Sequence, residues 1–124
     1  MKSPLVILAL FTVNAIAAPA VYTVHCSVFD KQPATKVYVD DDFVVSSNRD
    51  VTLYKAGSTK YIVGVSEVRP PSGPITPLIF LTIEKHGKMA AQSMSDFDAQ
   101  KPGNVNLWQD YQTPGISCRP KGLP

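Results

Sequence analysis

A chain of 124 residues with 44% hydrophobic and 18% charged side chains has material for one globular domain and not for two. Its 12 lysines and arginines against 10 aspartates and glutamates leave a formal charge of +2. That excludes DNA or an anionic membrane as a partner chosen by bulk charge, so a polyanion would need a local patch.

In chain order, Lys2 precedes an apolar run over residues 5–13 and the small residues Ala15, Ala17 and Ala18, the layout of a secretory signal peptide. The expected boundaries are a signal peptide over 1–17, a β-sandwich domain over 18–94 and an irregular extension over 95–124. The apolar run is far shorter than the roughly 20 residues a spanning helix needs, and no later run is longer, so the expectation is a secreted protein without a membrane span. Cys26 and Cys118 are the two cysteines. On an oxidising secretory route they are expected to pair with each other.

From Tyr22, the residues Tyr22, Val24, Cys26 and Val28 alternate with Thr23, His25 and Ser27, the period of a half-buried strand. A turn follows over 30–33, then a strand over 37–45. That strand is interrupted by Asp40, Asp41 and Asp42, which predicts a bulge turning at least two of them to solvent. Short strands are predicted over 51–55 and 60–68, joined through Gly57. Gly64, with no side chain to pack, predicts a close approach by a neighbour or a bend. Residues 69–77 hold four prolines and Gly73 and read as an exposed loop. The run 78–84 is apolar on both alternating faces and is the candidate for the centre of a sheet. Residues 89–94 fit a sixth strand or a helical turn. Beyond Ser95 the composition turns to Asp, Gln, Asn, Gly and Pro, so the tail should be irregular and held by Trp108, Tyr111 and the Cys118 bridge.

No cofactor or metal site is indicated. His25 and His86 lie in no zinc-ligand spacing, the three aspartates lack a calcium-loop pattern, and no Gly-x-Ser-x-Gly elbow occurs. The enzymatic alternative is acid–base cleavage of RNA by His25 or His86 with Glu67 or Glu84. RNA binding without cleavage would draw on Tyr38, Tyr54 and Tyr61 near Lys36, Lys55 and Lys60, and a carbohydrate-binding module would stack sugars on Trp108.

A signal peptide, a cysteine in the first strand (His25-Cys26-Ser27-Val28-Phe29) and five further short strands ending near Met94 resemble the Magnaporthe avirulence and ToxB-like (MAX) effectors of plant-pathogenic fungi. The resemblance implies a sandwich of two three-stranded antiparallel sheets tied by a disulfide from the first strand. It also implies a non-enzymatic, monomeric virulence protein, secreted and carried into host cytoplasm, that binds a host protein such as a heavy-metal-associated domain or an immune receptor. Small sandwiches leave strand edges open to an added strand. The edges expected to serve are 36–45 and 51–55, with Lys36, Tyr38, Asp40, Asp41, Asp42, Arg49 and Lys55 as partner-binding residues. A secreted ribonuclease-like or RNA-binding effector is the competing expectation.

Overall fold

The computed structural model describes residues 20–30, 36–97, 103–109 and 113–122. The expected signal peptide, most of the turn at 30–33 and Tyr111 lie outside the described residues. Among the described residues eight strands form: β1 (Val21–Phe29), β2 (Val37–Ser46), β3 (Val51–Ala56), β4 (Thr59–Val68), β5 (Thr76–Lys85), β6 (Lys88–Asp96), β7 (Val105–Leu107) and β8 (Gly115–Gly122). They make two four-stranded antiparallel sheets, ordered β2-β1-β8-β7 and β3-β4-β5-β6. The protein is an all-β sandwich. Among the described residues there is no helix long and apolar enough to cross a membrane.

The inward faces follow from period-two alternation. Val24, Cys26 and Val28 of β1 and Ile116 and Cys118 of β8 are almost wholly buried, facing Tyr61, Val63 and Val65 of β4 and Ile79, Leu81 and Ile83 of β5. Each such aliphatic side chain contributes about 1.5–3 kcal/mol when withdrawn from water. On one side of the sandwich β2 lies beside β3 and β4, and on the other β7 lies against β5 and β6. Tyr22 of β1 ties the layers at one end, its hydroxyl donating to Glu67 Oε2 of β4 at 2.8 Å beneath the ring of Phe97, 5.0 Å away.

Three expectations are corrected. The sheets have four strands rather than three. The extra members include two from the tail, which is not irregular: Val105 and Leu107 alternate inward on β7, and β8 sits between β1 and β7. The signal was weak because β7 has only three residues, and β8 contains Pro120, which points inward and is buried. Lastly, β2 runs without a bulge through its acids, Cys26 facing Asp41 and His25 facing Asp42 in unbroken register, and the irregularity falls opposite Val28 and Phe29 instead. An edge strand has solvent along one whole side, so all three aspartates stay exposed without a kink.

Cys26 and Cys118 are bonded, with Cα atoms 4.1 Å apart, and face each other directly across β1 and β8. The bridge therefore joins neighbours within one sheet, and does not tie one sheet to the other. Such contact is natural at a non-hydrogen-bonded position of an antiparallel pair, where Cα atoms come closest. Residues 89–94 belong to a strand, reached through a tight hairpin in which His86 and Gly87 both take positive φ, 53° and 78°, as a two-residue turn of the hairpin hand requires. The predicted close approach at Gly64 is made by the ring of Phe80 and the carboxylate of Asp50, which occupy the space a Cβ would need. At Gly115 the indole of Trp108 does the same, held edge-on to Phe29 at 6.3 Å; Trp108 is thus an anchor of the tail.

Two outcomes test this packing. Replacing Cys118 with Ser opens a loop of 92 residues and is expected to lower stability by about 4 to 5 kcal/mol on chain entropy, read by urea unfolding of oxidised wild type against the variant. Gly115→Ala should displace the indole at a cost of about 1–3 kcal/mol, with a red shift in the emission of the single tryptophan; an unmoved emission maximum would refute the contact.

Candidate functional site: the β2 edge

The strand order leaves β2, β7, β3 and β6 at sheet edges. β7 is very short, and β3 is broken by a register shift between Thr52 and Tyr54. β2 and β6 are long, and β2 carries a run of acids and borders an open groove of about 550 Å³. Along an antiparallel strand, alternate residues turn their N–H and C=O toward the partner and away from it. At Ser46 both groups point away from β1, the N–H donating to Arg49 O at 3.3 Å and the carbonyl accepting from Arg49 N–H at 3.1 Å. At Asp42 the outward N–H donates to the carboxylate of Asp41 at 2.8 Å. The same alternation turns the N–H and C=O of Asp40 and Val44 to the open side. Val44, 57% exposed, forms one wall of the groove with Val21, 43% exposed, and Arg49 lines it as well.

The outer face of this edge is organised by His25. Because His25 and Asp42 are directly opposed, the imidazole meets Asp42 Oδ1 through Nδ1 at 2.7 Å and reaches Asp40 Oδ1 through Nε2 at 2.6 Å. A neutral imidazole has one N–H, so both contacts are donated only by the protonated ring. The hydrogen bond to Asp42 and then that to Asp40 accordingly raise the pKa of His25 above its ordinary 6.5, against desolvation and the nearby Arg119. Reciprocally, the bond from His25 holds Asp42 below 3.8, helped by Lys121, whose Nζ lies 3.7 Å from Asp42 Oδ2.

At the other end of β2, Tyr38, Tyr54 of β3 and Tyr61 of β4 form a ladder, with ring centroids 5.0 and 6.0 Å apart. Lys36 caps it, Nζ lying 5.1 Å from the Tyr38 centroid. The Tyr38 hydroxyl donates to the carboxylate of Asp30 at 3.0 Å, which raises its pKa above 10.0. The ladder closes the seam between the sheets, and Tyr61 is fully buried within it.

The residues singled out in the sequence thus fall on one side of the sandwich: Lys36, beside β2, with Tyr38, Asp40, Asp41 and Asp42 on it, Arg49 in the turn that follows, and Lys55 on β3, opposite Lys60. Val44, Val21 and the latching role of His25 were missed; alternation from Tyr22 onward carried the signal, since it places Thr23 and His25 on the outer face with whatever lies across from them. Among the described residues no hydrogen bond or ion pair joins His25 or His86 to Glu67 or Glu84, the residues considered for RNA cleavage. His25 is engaged by aspartates, Glu67 by Tyr22 and by Arg69 at 3.1 Å, Glu84 faces Lys60, and His86 serves the β5–β6 turn. Among the described residues no cluster of His, Cys, Asp and Glu could hold a metal ion. Comparison with protein-family models, curated proteins and solved structures finds no match to this chain.

The His25 latch has a defined pH window. Its histidine contribution is complete below the ordinary value of 6.5 and fades as pH rises through the raised folded value. Its Asp42 contribution is complete above 3.8 and fades as pH falls through the lowered folded value. The melting-temperature difference between wild type and His25→Ala should therefore be largest between these limits and shrink on both sides; a difference that does not vary with pH would show that the latch adds nothing.

Proposed function

We propose that this protein is a secreted effector of the MAX type that acts without catalysis, as a monomer, by binding a host protein through the β2 edge. The observation that carries the reading is the unpaired flank of β2, where backbone groups at Asp40 and Val44 face outward beside a groove and between charged side chains. An added strand would gain main-chain hydrogen bonds there, and the surrounding side chains would set its identity. A heavy-metal-associated domain, small and with sheet edges of its own, or an immune receptor containing one, is the partner class that the family resemblance brings to this edge. Charges at Lys36, Asp40, Asp41, Arg49 and Lys55 then act at the rim, selecting the partner and speeding encounter more than adding affinity. Secretion by the 1–17 segment and entry into host cytoplasm belong to the same reading.

RNA binding is the second reading, and one observation favours it: Lys36 over Tyr38 and Tyr38 against Tyr54 place a cation and two half-buried rings together, the elements of a base-stacking platform. Titration with fluorescent single-stranded RNA and loss of binding in Tyr54→Ala would favour it over the edge.

Proline suits the outward N–H of an edge strand and removes one donor from it. Val44→Pro is therefore expected to fold, by circular dichroism, yet weaken binding to a panel of purified heavy-metal-associated domains by about tenfold or more. Met94→Lys, on the far edge strand β6, should leave binding unchanged. Binding that survives Val44→Pro would eliminate the β2 edge as the contact.

A further inference from the structure

Resting on the β2-edge reading, we propose that the partner of this edge is an extended, heterologous segment whose side chains follow the order apolar-x-basic, with the apolar residue opposite Val44 and the basic one opposite Asp42. The backbone defines the register. Outward groups at Asp40 and Val44 are open, whereas Ser46 is closed by its paired bonds to Arg49, so an added strand must pair along residues 40–44. On the outer face, a residue opposite Val44 comes beside Val21 and Val44 at the groove, and its natural filling is an aliphatic side chain. In an antiparallel addition, the residue two positions later stands beside Asp42 and Asp40.

Charge decides the rest. His25 takes one oxygen of each of these carboxylates, and the second oxygen of Asp42 has only a 3.7 Å contact with Lys121. Asp41, on the opposite register, is exposed and uses its carboxylate to cap the Asp42 amide. That cap blocks a continuous ladder until something draws it aside. A cation on the incoming segment supplies that pull, and an acidic or neutral segment does not. The same charges exclude a second copy of this chain: two β2 strands added antiparallel about Asp41 would set Asp40 against Asp42 and Asp41 against its counterpart, and directly opposed like charges are destabilising.

The test uses the oxidised full-length protein, labelled with ¹⁵N, and two capped peptides, Thr-Val-Thr-Lys-Thr-Lys-Thr and its counterpart with both lysines replaced by glutamate. The lysine peptide is expected to shift the amides of Asp40, Asp42 and Val44 and to bind about tenfold more tightly than the glutamate peptide. The variant with Asp40→Lys and Asp41→Lys should reverse that order. Equal shifts by both peptides, each abolished by Val44→Pro, would overturn the basic-partner proposal while leaving the edge reading intact. Absence of any shift at Val44 with either peptide would sink both. Concentration-dependent broadening of the Val44 amide without peptide would overturn the exclusion of a self-pairing edge.

Discussion

The pairing of β8 with β1 is the constraint on which the rest of the sandwich depends. Cys26 and Cys118 face each other across these strands and are covalently joined, so a segment from the end of the chain is placed in the middle of the first sheet. Once β8 is there, Ile116 and Cys118 complete the inner face begun by Val24, Cys26 and Val28. β8 also offers its other side to β7, whose Val105 and Leu107 extend the same apolar layer. With β1 flanked by β8 on one side, its remaining side takes β2, which thereby becomes an edge. The candidate site is a consequence of the staple.

That edge is managed at several points by different chemistry. Arg49 closes Ser46 through main-chain bonds, Asp41 caps the amide of Asp42, and the tyrosine ladder shields the flank near Lys36. Devices of this kind restrain indiscriminate strand addition. They also leave a short stretch, 40–44, where the proposed addition would occur and where charge would determine what is admitted. On the proposed reading, protection and selectivity are the same arrangement of side chains.

His25 shows how a surface histidine acquires a role from its neighbours. Two carboxylates on consecutive outward positions of β2 hold both ring nitrogens, which couples the edge strand to β1 through a proton. The same residue, read as a candidate acid or base for RNA chemistry, is engaged by Asp42 and Asp40. Identity and titration range made it a candidate; the cross-strand register assigned its partners.

Much of the fold was legible because period-two alternation is a local property. The strands at β1, β3, β4 and β5, the interior place of β5, the exposed loop before it and the pairing of two cysteines all follow from nearest neighbours and composition. The placing of β2 and β3 at edges was legible too, since charge tolerates only a solvated flank. The tail was misread because a three-residue strand and one holding Pro120 carry almost no local signal; β8 becomes a strand through β1, whose Cys26 is 92 positions from Cys118, and β7 through β8. The sequence by itself determined the strand-forming segments from β1 to β5, their inward faces and the one possible disulfide. Tertiary structure alone decided that the bridge lies within a sheet, that each sheet has four strands, and that Asp41, Asp42, His25 and Val44 meet at one edge, because register between distant strands is set by long-range pairing and not by local preference.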